Sequence, residues 1–315
     1  MGETIEICGH SILPGQNKRI HLDIADLASG TKIDLPIYIF NGKEKGKRVM
    51  FTGGLHGDEI NGIEIVRRLI NKKDLKSIKK GAVVAIPILN VYGFINFSRD
   101  VVEGKDMNRS FPGSQRGSLA SRVAHVITNK VLPIIDFGID FHTGGGSRHN
   151  YPQTRYTKDH KASEDISDIF SAPLSISTKT IPKSFRETAI KKNKPIVVYE
   201  GGEALRLNGP VINEGIKGCE RVLSAFGCID KNIGPGKTKR FDKMTWLRAD
   251  RSGLFIALKK SGENCQKGEL LGKINQIDPD RKLKNVIADR DGTIVGHNNS
   301  PVVSQGEALF HIAYS

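Results

Sequence analysis

Between about residues 49 and 227, short β-branched apolar runs alternate with amphipathic stretches. A chain with that rhythm has few folding solutions. Its apolar runs become strands, the stretches between become crossover helices, and the product is an α/β fold with a mainly parallel or mixed sheet flanked by helices. The pattern predicts strands over residues 49–52, 83–89, 134–141 and 196–200. It predicts helices over 60–71, 119–132, 163–170 and 211–225, the first with apolar residues at Ile60, Ile63, Val66, Leu69 and Ile70 on one stripe. After Ala225 the texture changes. Residues 232–238 read as a linker, and short apolar runs separated by Ser-Gly, Lys-Gly, Asp-Gly and Gln-Gly turns follow. The expected division is a catalytic domain over 1–232 and a small all-β, barrel-like domain over 233–315. The first 45 or so residues read as extended segments, including 5–7 and 37–40; they either extend the main sheet or pack beside the β domain.

Composition narrows the class. The chain has 315 residues, 38% of them hydrophobic and 26% charged, which fits a globular protein with a sizeable core and excludes the low-hydrophobicity pattern of disorder. No run approaches the roughly 20 apolar residues of a membrane span, and the first residues lack the basic and apolar regions of a signal peptide. The expected location is cytoplasmic, with no membrane partner. Cys8, Cys219, Cys228 and Cys265 are scattered without a CxxC pair and are expected to be reduced and mostly buried. The net charge of +14 favours anionic partners. Lys and Arg nevertheless fall in short groups along the whole length, interleaved with acids and without an aromatic stacking motif, so no nucleic acid is expected.

Chemistry concentrates at three predicted strand ends. In Phe51-Thr-Gly-Gly-Leu-His-Gly-Asp-Glu-Ile-Asn-Gly, a strand runs into glycines and presents His56 and Glu59 as a helix begins. Imidazole and carboxylate are good ligands for Zn²⁺, and a catalytic zinc usually has three protein ligands with one position left for water. His142, in Asp140-Phe-His-Thr-Gly-Gly-Gly, is the candidate third ligand. Strand alternation puts Asp140 and His142 on one face, where Asp140 can steady an imidazole from behind. The long loop from Asn90 to Leu119, rich in Gly, Asn, Asp and Arg, is expected near this site.

Four ordered motifs, GGLHGDE, DMNRSFPG, DFHTG and VVYEGG, resemble those of the succinylglutamate desuccinylase and aspartoacylase family, relatives of the zinc carboxypeptidases; the likeness spans about residues 49–205. The resemblance implies a zinc-carboxypeptidase-like fold and one zinc per chain on His56, Glu59 and His142. It further implies Glu200 as general base and acid, Asn108 and Arg109 gripping a substrate carboxylate, and Arg99 stabilising the oxyanion. The residues themselves suit these roles. Glu200 ends an apolar strand and is better fixed than its competitor Glu203, and Arg109 offers a fork that matches a carboxylate. Asp58 reads as a helix N-cap and His149 as a loop residue outside the chemistry.

The expected activity is a zinc amidohydrolase that deacylates a small anionic N-acyl amino acid. The alternatives are a zinc carboxypeptidase for a small or cell-wall peptide, and a non-catalytic metal-containing binding protein. The C-terminal segment resembles the barrel of biotinyl and lipoyl carriers but lacks their modification lysine. It is expected to shield the active-site mouth or build an oligomer interface, and the oligomeric state is open, a homo-oligomer included.

Overall fold

The computed structural model describes residues 1–26, 29–278 and 283–314. Its centre is one large mixed sheet. Ten strands follow each other across it: Lys243–Arg248, Ala308–Tyr314, Gly292–Asn298, Arg148–Thr157, Ile196–Glu203, Phe137–Gly144, Glu44–Thr52, Lys80–Ile86, Lys32–Asn41 and Asn17–Asp26. The middle is parallel, and there the chain is buried on both faces. Every residue of Phe137–Gly144 is buried, as is every residue of Lys80–Ile86 after the first. One face packs on the helices Ile60–Asn71, Lys161–Phe170 and Gly209–Ala225, through a core that includes Phe51, Phe141, Phe170 and Tyr199. The other face is closed by the segment from Leu119 to Ile135 with Met50, Val84 and Ile86.

This topology levels the strand ends that carry the motifs. Glu44–Thr52, Phe137–Gly144 and Ile196–Glu203 are parallel neighbours, with Thr52 opposite Asp140 and His142 opposite Glu200. Parallel strands joined by crossovers all finish at the same edge of the sheet, where an α/β fold opens its crevice.

The first residues extend the main sheet. Lys32–Asn41 pairs antiparallel with Lys80–Ile86, and Asn17–Asp26 pairs with it in turn. Residues 5–7 instead form a small hairpin with His10–Ile12. After Ala225 every described regular element is a strand. Five of them join the main sheet: Gly292–Asn298 pairs with residues 148–150 and is followed outward by Ala308–Tyr314 and Lys243–Arg248, Asn264–Cys265 pairs with Gly292–Asn298, and Lys239–Phe241 pairs with Leu174–Thr178. Four more, Lys284–Ile287, Leu270–Asn275, Gly253–Ala257 and Val302–Val303, form a separate sheet. Phe255, Leu271, Ile274, Leu309 and Phe310 share a core in this region. Cys219, Cys228 and Cys265 are buried and Cys8 is exposed, all four free.

Some local expectations shift. The helix expected over 119–132 is α-helical only over Leu119–Val126, then widens to a π turn at Ile127–Val131 and tightens to a 3₁₀ turn at Leu132–Ile134. Pro133 has no amide hydrogen to continue an α-helix, so the next strand starts at Phe137 rather than 134. The strand Arg148–Thr157 has no counterpart in the sequence expectations. It reads RHNYPQTRYT, too polar to register as a strand, because part of it faces a cavity rather than a core.

Two histidines in the C-terminal region give a pH prediction. Burial lowers the pKa of His311 to about 3, with the Arg155 charge adding to it, and lowers that of His297 to about 4, with His149 adding. The backbone N–H of Ser261 donates to His297 Nδ1 at 3.0 Å, so that nitrogen must stay unprotonated. A histidine whose folded pKa is depressed contributes stability above its unfolded value near 6.5, and that stability is lost as pH falls toward the folded pKa. His297 alone is expected to cost on the order of 3 kcal/mol by about pH 4, at about 1.4 kcal/mol per pH unit. Melting midpoints between pH 7.5 and 4.5 should fall more steeply for the parent than for His297→Asn, whose amide oxygen keeps the acceptor without the titration. Identical slopes would exclude this assignment.

Candidate active site

Glu59 is the hub of the site. It ends the loop before the helix Ile60–Asn71 and is 2% exposed. Its Oε1 lies 2.8 Å from His56 Nδ1, and its Oε2 lies 2.8 Å from His142 Nδ1. Oε2 also accepts from the Thr143 backbone N–H at 3.1 Å, and Oε1 from Arg99 Nη1 at 3.1 Å. The glycines around His56 make the approach possible: a Cβ on Gly57 would lie 2.0 Å from the carbonyl carbon of Gly93.

Each imidazole has a carboxylate on its outer nitrogen. His142 Nε2 meets Asp140 Oδ2 at 2.8 Å, and Asp140 is itself held by the Thr52 hydroxyl, which donates to Oδ1 at 2.8 Å. His56 Nε2 meets Asp106 Oδ1 at 3.2 Å. An N–H donated outward to each carboxylate leaves both Nδ1 lone pairs turned toward Glu59. One donor atom from each of His56, Glu59 and His142 lies within 4.8 Å of the others, all three residues buried. Two imidazole nitrogens and a carboxylate, with outer carboxylates fixing the tautomers, fit a zinc-type ion.

The electrostatics of these groups are strongly coupled. Burial pulls the His142 imidazole down, but Asp140 and Glu59 outweigh it and hold its pKa well above the ordinary value. For Glu59, burial pushes upward and the two imidazoles overcome it, leaving the carboxyl well below its usual range. Such a set is an anionic nest for a cation, whether protons or a metal.

Glu200 lines the same cavity, which has a volume of about 560 Å³. Asn150 Nδ2 donates to Glu200 Oε2 at 2.6 Å, and Arg155 Nη1 stands 3.3 Å from Oε1. Gly202, just beyond, has φ of +77°, and a Cβ there would meet Asn61 Nδ2 at 2.3 Å. That contact and the positive φ explain why glycine stands at 202, just before the strand's last residue. Glu203 is not in the cavity lining and accepts instead from Asn299 Nδ2 at 2.7 Å.

The other expected residues are also placed. Arg99, Asn108 and Arg109 all line the cavity. Asn90 caps a short helix and donates to the Arg99 carbonyl at 3.2 Å, while Arg99 Nη2 bonds Asp106 Oδ2 at 3.0 Å. The Asn108 side-chain oxygen is occupied by the Phe185 N–H at 2.9 Å, leaving its amide nitrogen for other work. Asp58 is not the helix cap. Glu59 holds that position without a side-chain bond, and Asp58 instead uses its backbone carbonyl to accept from Leu205 N–H at 2.8 Å. His149 lies outside the lining and contacts Ser261 Oγ at 2.8 Å.

Sequence reasoning missed Arg148, Asn150, Arg155, Arg186 and Trp246, all in the cavity lining. Trp246 comes from the C-terminal region, stacks on His311 with ring centroids 4.1 Å apart, and has the Arg148 guanidinium 5.8 Å from its ring. Arg186 is 9% exposed. Its Nη2 donates to the Lys179 carbonyl at 2.8 Å and its Nη1 has no partner. Burial lowers its pKa to about 10, with Arg155 adding and Glu200 opposing. The polar, arginine-bearing string 148–155 was the available signal for three of the five; Arg186 and Trp246 left none.

The chain is similar to several known proteins. The family profile described as "Succinylglutamate desuccinylase/Aspartoacylase catalytic domain" matches residues 45–226. A curated N-alpha-acetyl-L-2,4-diaminobutyric acid deacetylase from Halomonas elongata is 22% identical over 285 residues, covering 85% of this chain and 82% of that protein. Among solved structures, the product-bound ectoine utilization protein of Ruegeria pomeroyi superposes with a TM-score of 0.85 at 20% identity, covering 95% of both chains. A succinylglutamate desuccinylase/aspartoacylase of Rhodobacter sphaeroides gives 0.84 at 24% identity, again covering 95% of both.

Proposed function

The chain belongs to the succinylglutamate desuccinylase/aspartoacylase catalytic-domain family, and from that premise we propose that it is a zinc-dependent deacylase that hydrolyses the amide bond of a small, anionic N-acyl amino acid. The observation that carries this reading is the joint lining of one cavity by His56, Glu59, His142, Glu200 and a set of arginines.

In this reading His56 Nδ1, Glu59 and His142 Nδ1 hold the metal, with Asp106 and Asp140 fixing the two rings. When bound, zinc supplies Lewis-acid polarisation of the scissile carbonyl and acidifies water. Glu200 takes the proton from the attacking water and delivers it to the leaving amine, which needs a carboxylate of fixed position beside the metal ligands. Arg99, at the wall next to Glu59, is assigned to the charge that develops on the carbonyl oxygen.

The arginines point to the substrate's charge. Arg99 and Arg155 are balanced by Glu59, Asp106 and Glu200. Arg109, Arg148 and Arg186 line the cavity without a carboxylate partner among the described residues. A buried guanidinium with an unpaired nitrogen, as at Arg186, is costly unless a ligand anion completes it. This supports a carboxylate grip by Arg109, with Asn108 and Arg186 beside it. A carboxypeptidase would need the same groups; Trp246, brought to the cavity wall by the C-terminal region, supports a small substrate over a peptide.

The test is turnover of the zinc-loaded protein on a panel of N-acyl amino acids carrying one, two or no negative charges, with Arg186→Ala in parallel. Anionic members are expected to be cleaved, and the variant to raise KM for them by about tenfold to a hundredfold, the value of a hydrogen bond to a charged group. Equal rates on neutral and anionic members would sink the charge assignment, and no turnover on any member would favour a binding role.

A further inference from the structure

The strand Arg148–Thr157 pairs with the Glu200 strand, with Leu174–Thr178 along residues 153–157, and with Gly292–Asn298 from the C-terminal region along residues 148–150. Asn150 stands opposite Gly202 of the Glu200 strand and Gly296 of Gly292–Asn298. It is 5% exposed, and its amide nitrogen donates to Glu200 Oε2 at 2.6 Å. Its amide oxygen occupies space that is open because residue 296 has no side chain, for a Cβ at Gly296 would lie 2.6 Å from Asn150 Oδ1. A second tie runs in parallel. Gln153, directly opposite Glu200, donates Nε2 to the Val295 carbonyl at 3.3 Å, at the bulge between Ile294 and Gly296.

We propose that Asn150 is the residue that positions the Glu200 carboxylate, and that the C-terminal β region sets Asn150 through the side-chain-free Gly296, so that the acid–base group is assembled across both parts of the chain. The inference rests on reading Glu200 as the proton carrier. A carboxylate that must accept and return a proton needs a fixed orientation with a lone pair left open, and each of its oxygens has two acceptor sites. One donor on each, Asn150 on Oε2 and Arg155 on Oε1, orients the group and leaves the remaining sites free. Asn150 is neutral, so it orients Glu200 without adding a second positive charge that would weaken it as a base. An amide that only glued two strands together would have no reason to end on this carboxylate.

A C-terminal region linked in this way does more than cover the cavity. A small movement of Gly292–Asn298 would shift Asn150 and with it the reacting group, and positional errors of about 1 Å at such a group cost up to a hundredfold in rate.

The experiment uses the zinc-loaded full chain and measures kcat, KM and metal content for Asn150→Ala, Gly296→Ala, the double variant and Glu200→Gln, with a crystal structure of Gly296→Ala. Asn150→Ala is expected to lower kcat about tenfold to a hundredfold, with KM and metal content near the parent values. Gly296→Ala is expected to lower kcat as well and to carry the Asn150 amide out of bonding distance of Glu200 in the crystal. In the double variant the Gly296 change should cost nothing further, because the atom it strikes is gone. Parent kcat in Asn150→Ala while Glu200→Gln is inactive overturns the positioning role. An equal Gly296 effect with and without Asn150 overturns the link to the C-terminal region. Parent turnover in Glu200→Gln removes the reading of Glu200 itself, and this inference with it. Should Gly296→Ala not fold, Gln153→Ala tests the same link: a several-fold fall in kcat supports it, and an unchanged kcat overturns it.

Discussion

Glu200→Gln is expected to lower kcat by about three orders of magnitude while the protein stays folded and keeps its metal. General acid–base catalysis by one positioned group contributes about 10²–10⁴-fold, and Glu200 is asked to act twice, on the water and on the leaving amine. The amide keeps the shape and can still meet Arg155 through its oxygen, but it cannot take a proton. Glu203→Gln is the matched comparison, since Glu203 is absent from the cavity lining and bonded to Asn299; its turnover should stay near the parent value. Steady-state kinetics on one cleaved N-acyl amino acid decides the matter, and the assignment fails if the Glu203 change is the damaging one.

His142→Ala is expected to abolish both metal binding and turnover. Three protein ligands hold the ion in this reading, and removing one leaves Glu59 and His56 with too few donors to retain a catalytic zinc. Elemental analysis of the parent should give about one zinc per chain and of the variant close to none. Stability supplies an independent readout. A ligand that binds the folded state raises stability by mass action, by about 4 kcal/mol at a thousandfold excess over Kd. A chelator should therefore lower the melting midpoint of the parent and leave that of His142→Ala unmoved. A parent protein purified without chelator and free of metal would contradict the metal assignment at its root.

The grouping of His56, Glu59 and His142 was legible because each of its parts is local. His56 and Glu59 sit three residues apart at a strand-to-helix junction marked by glycines, and Asp140 and His142 share a strand face by simple alternation. The structure brings these two clusters together, as expected of neighbouring strand ends, with Glu59 bridging them. The preference for Glu200 over Glu203 rested on Glu203 lying in a turn after the strand, whereas the strand runs on through Glu203; Glu200 lines the cavity, and Glu203 is bonded to Asn299 outside it. The cap assigned to Asp58 shows the limit of the same logic. Asp is a common cap residue, yet here the chain reaches the helix through Glu59, whose carboxylate is already engaged by two imidazoles.

The sequence by itself determined the alternation of strands and helices, the strand ends that carry the reactive side chains, and the all-strand character of the region after Ala225. These depend on periodicity and turn chemistry within windows of a dozen residues or so, where local sterics and burial decide. Only the tertiary structure decided that Asn17–Asp26 and Lys32–Asn41 widen the main sheet while residues 5–7 and 10–12 form a hairpin apart from it. It also decided that a polar strand beginning at Arg148 lies beside Glu200, that Arg186 enters the cavity from a separate helix, and that Trp246 and Gly296 reach the site from the far end of the chain. Those neighbours are set by strand order and register, which follow from the packing of the whole core. No local window contains the residues that will face each other across a sheet.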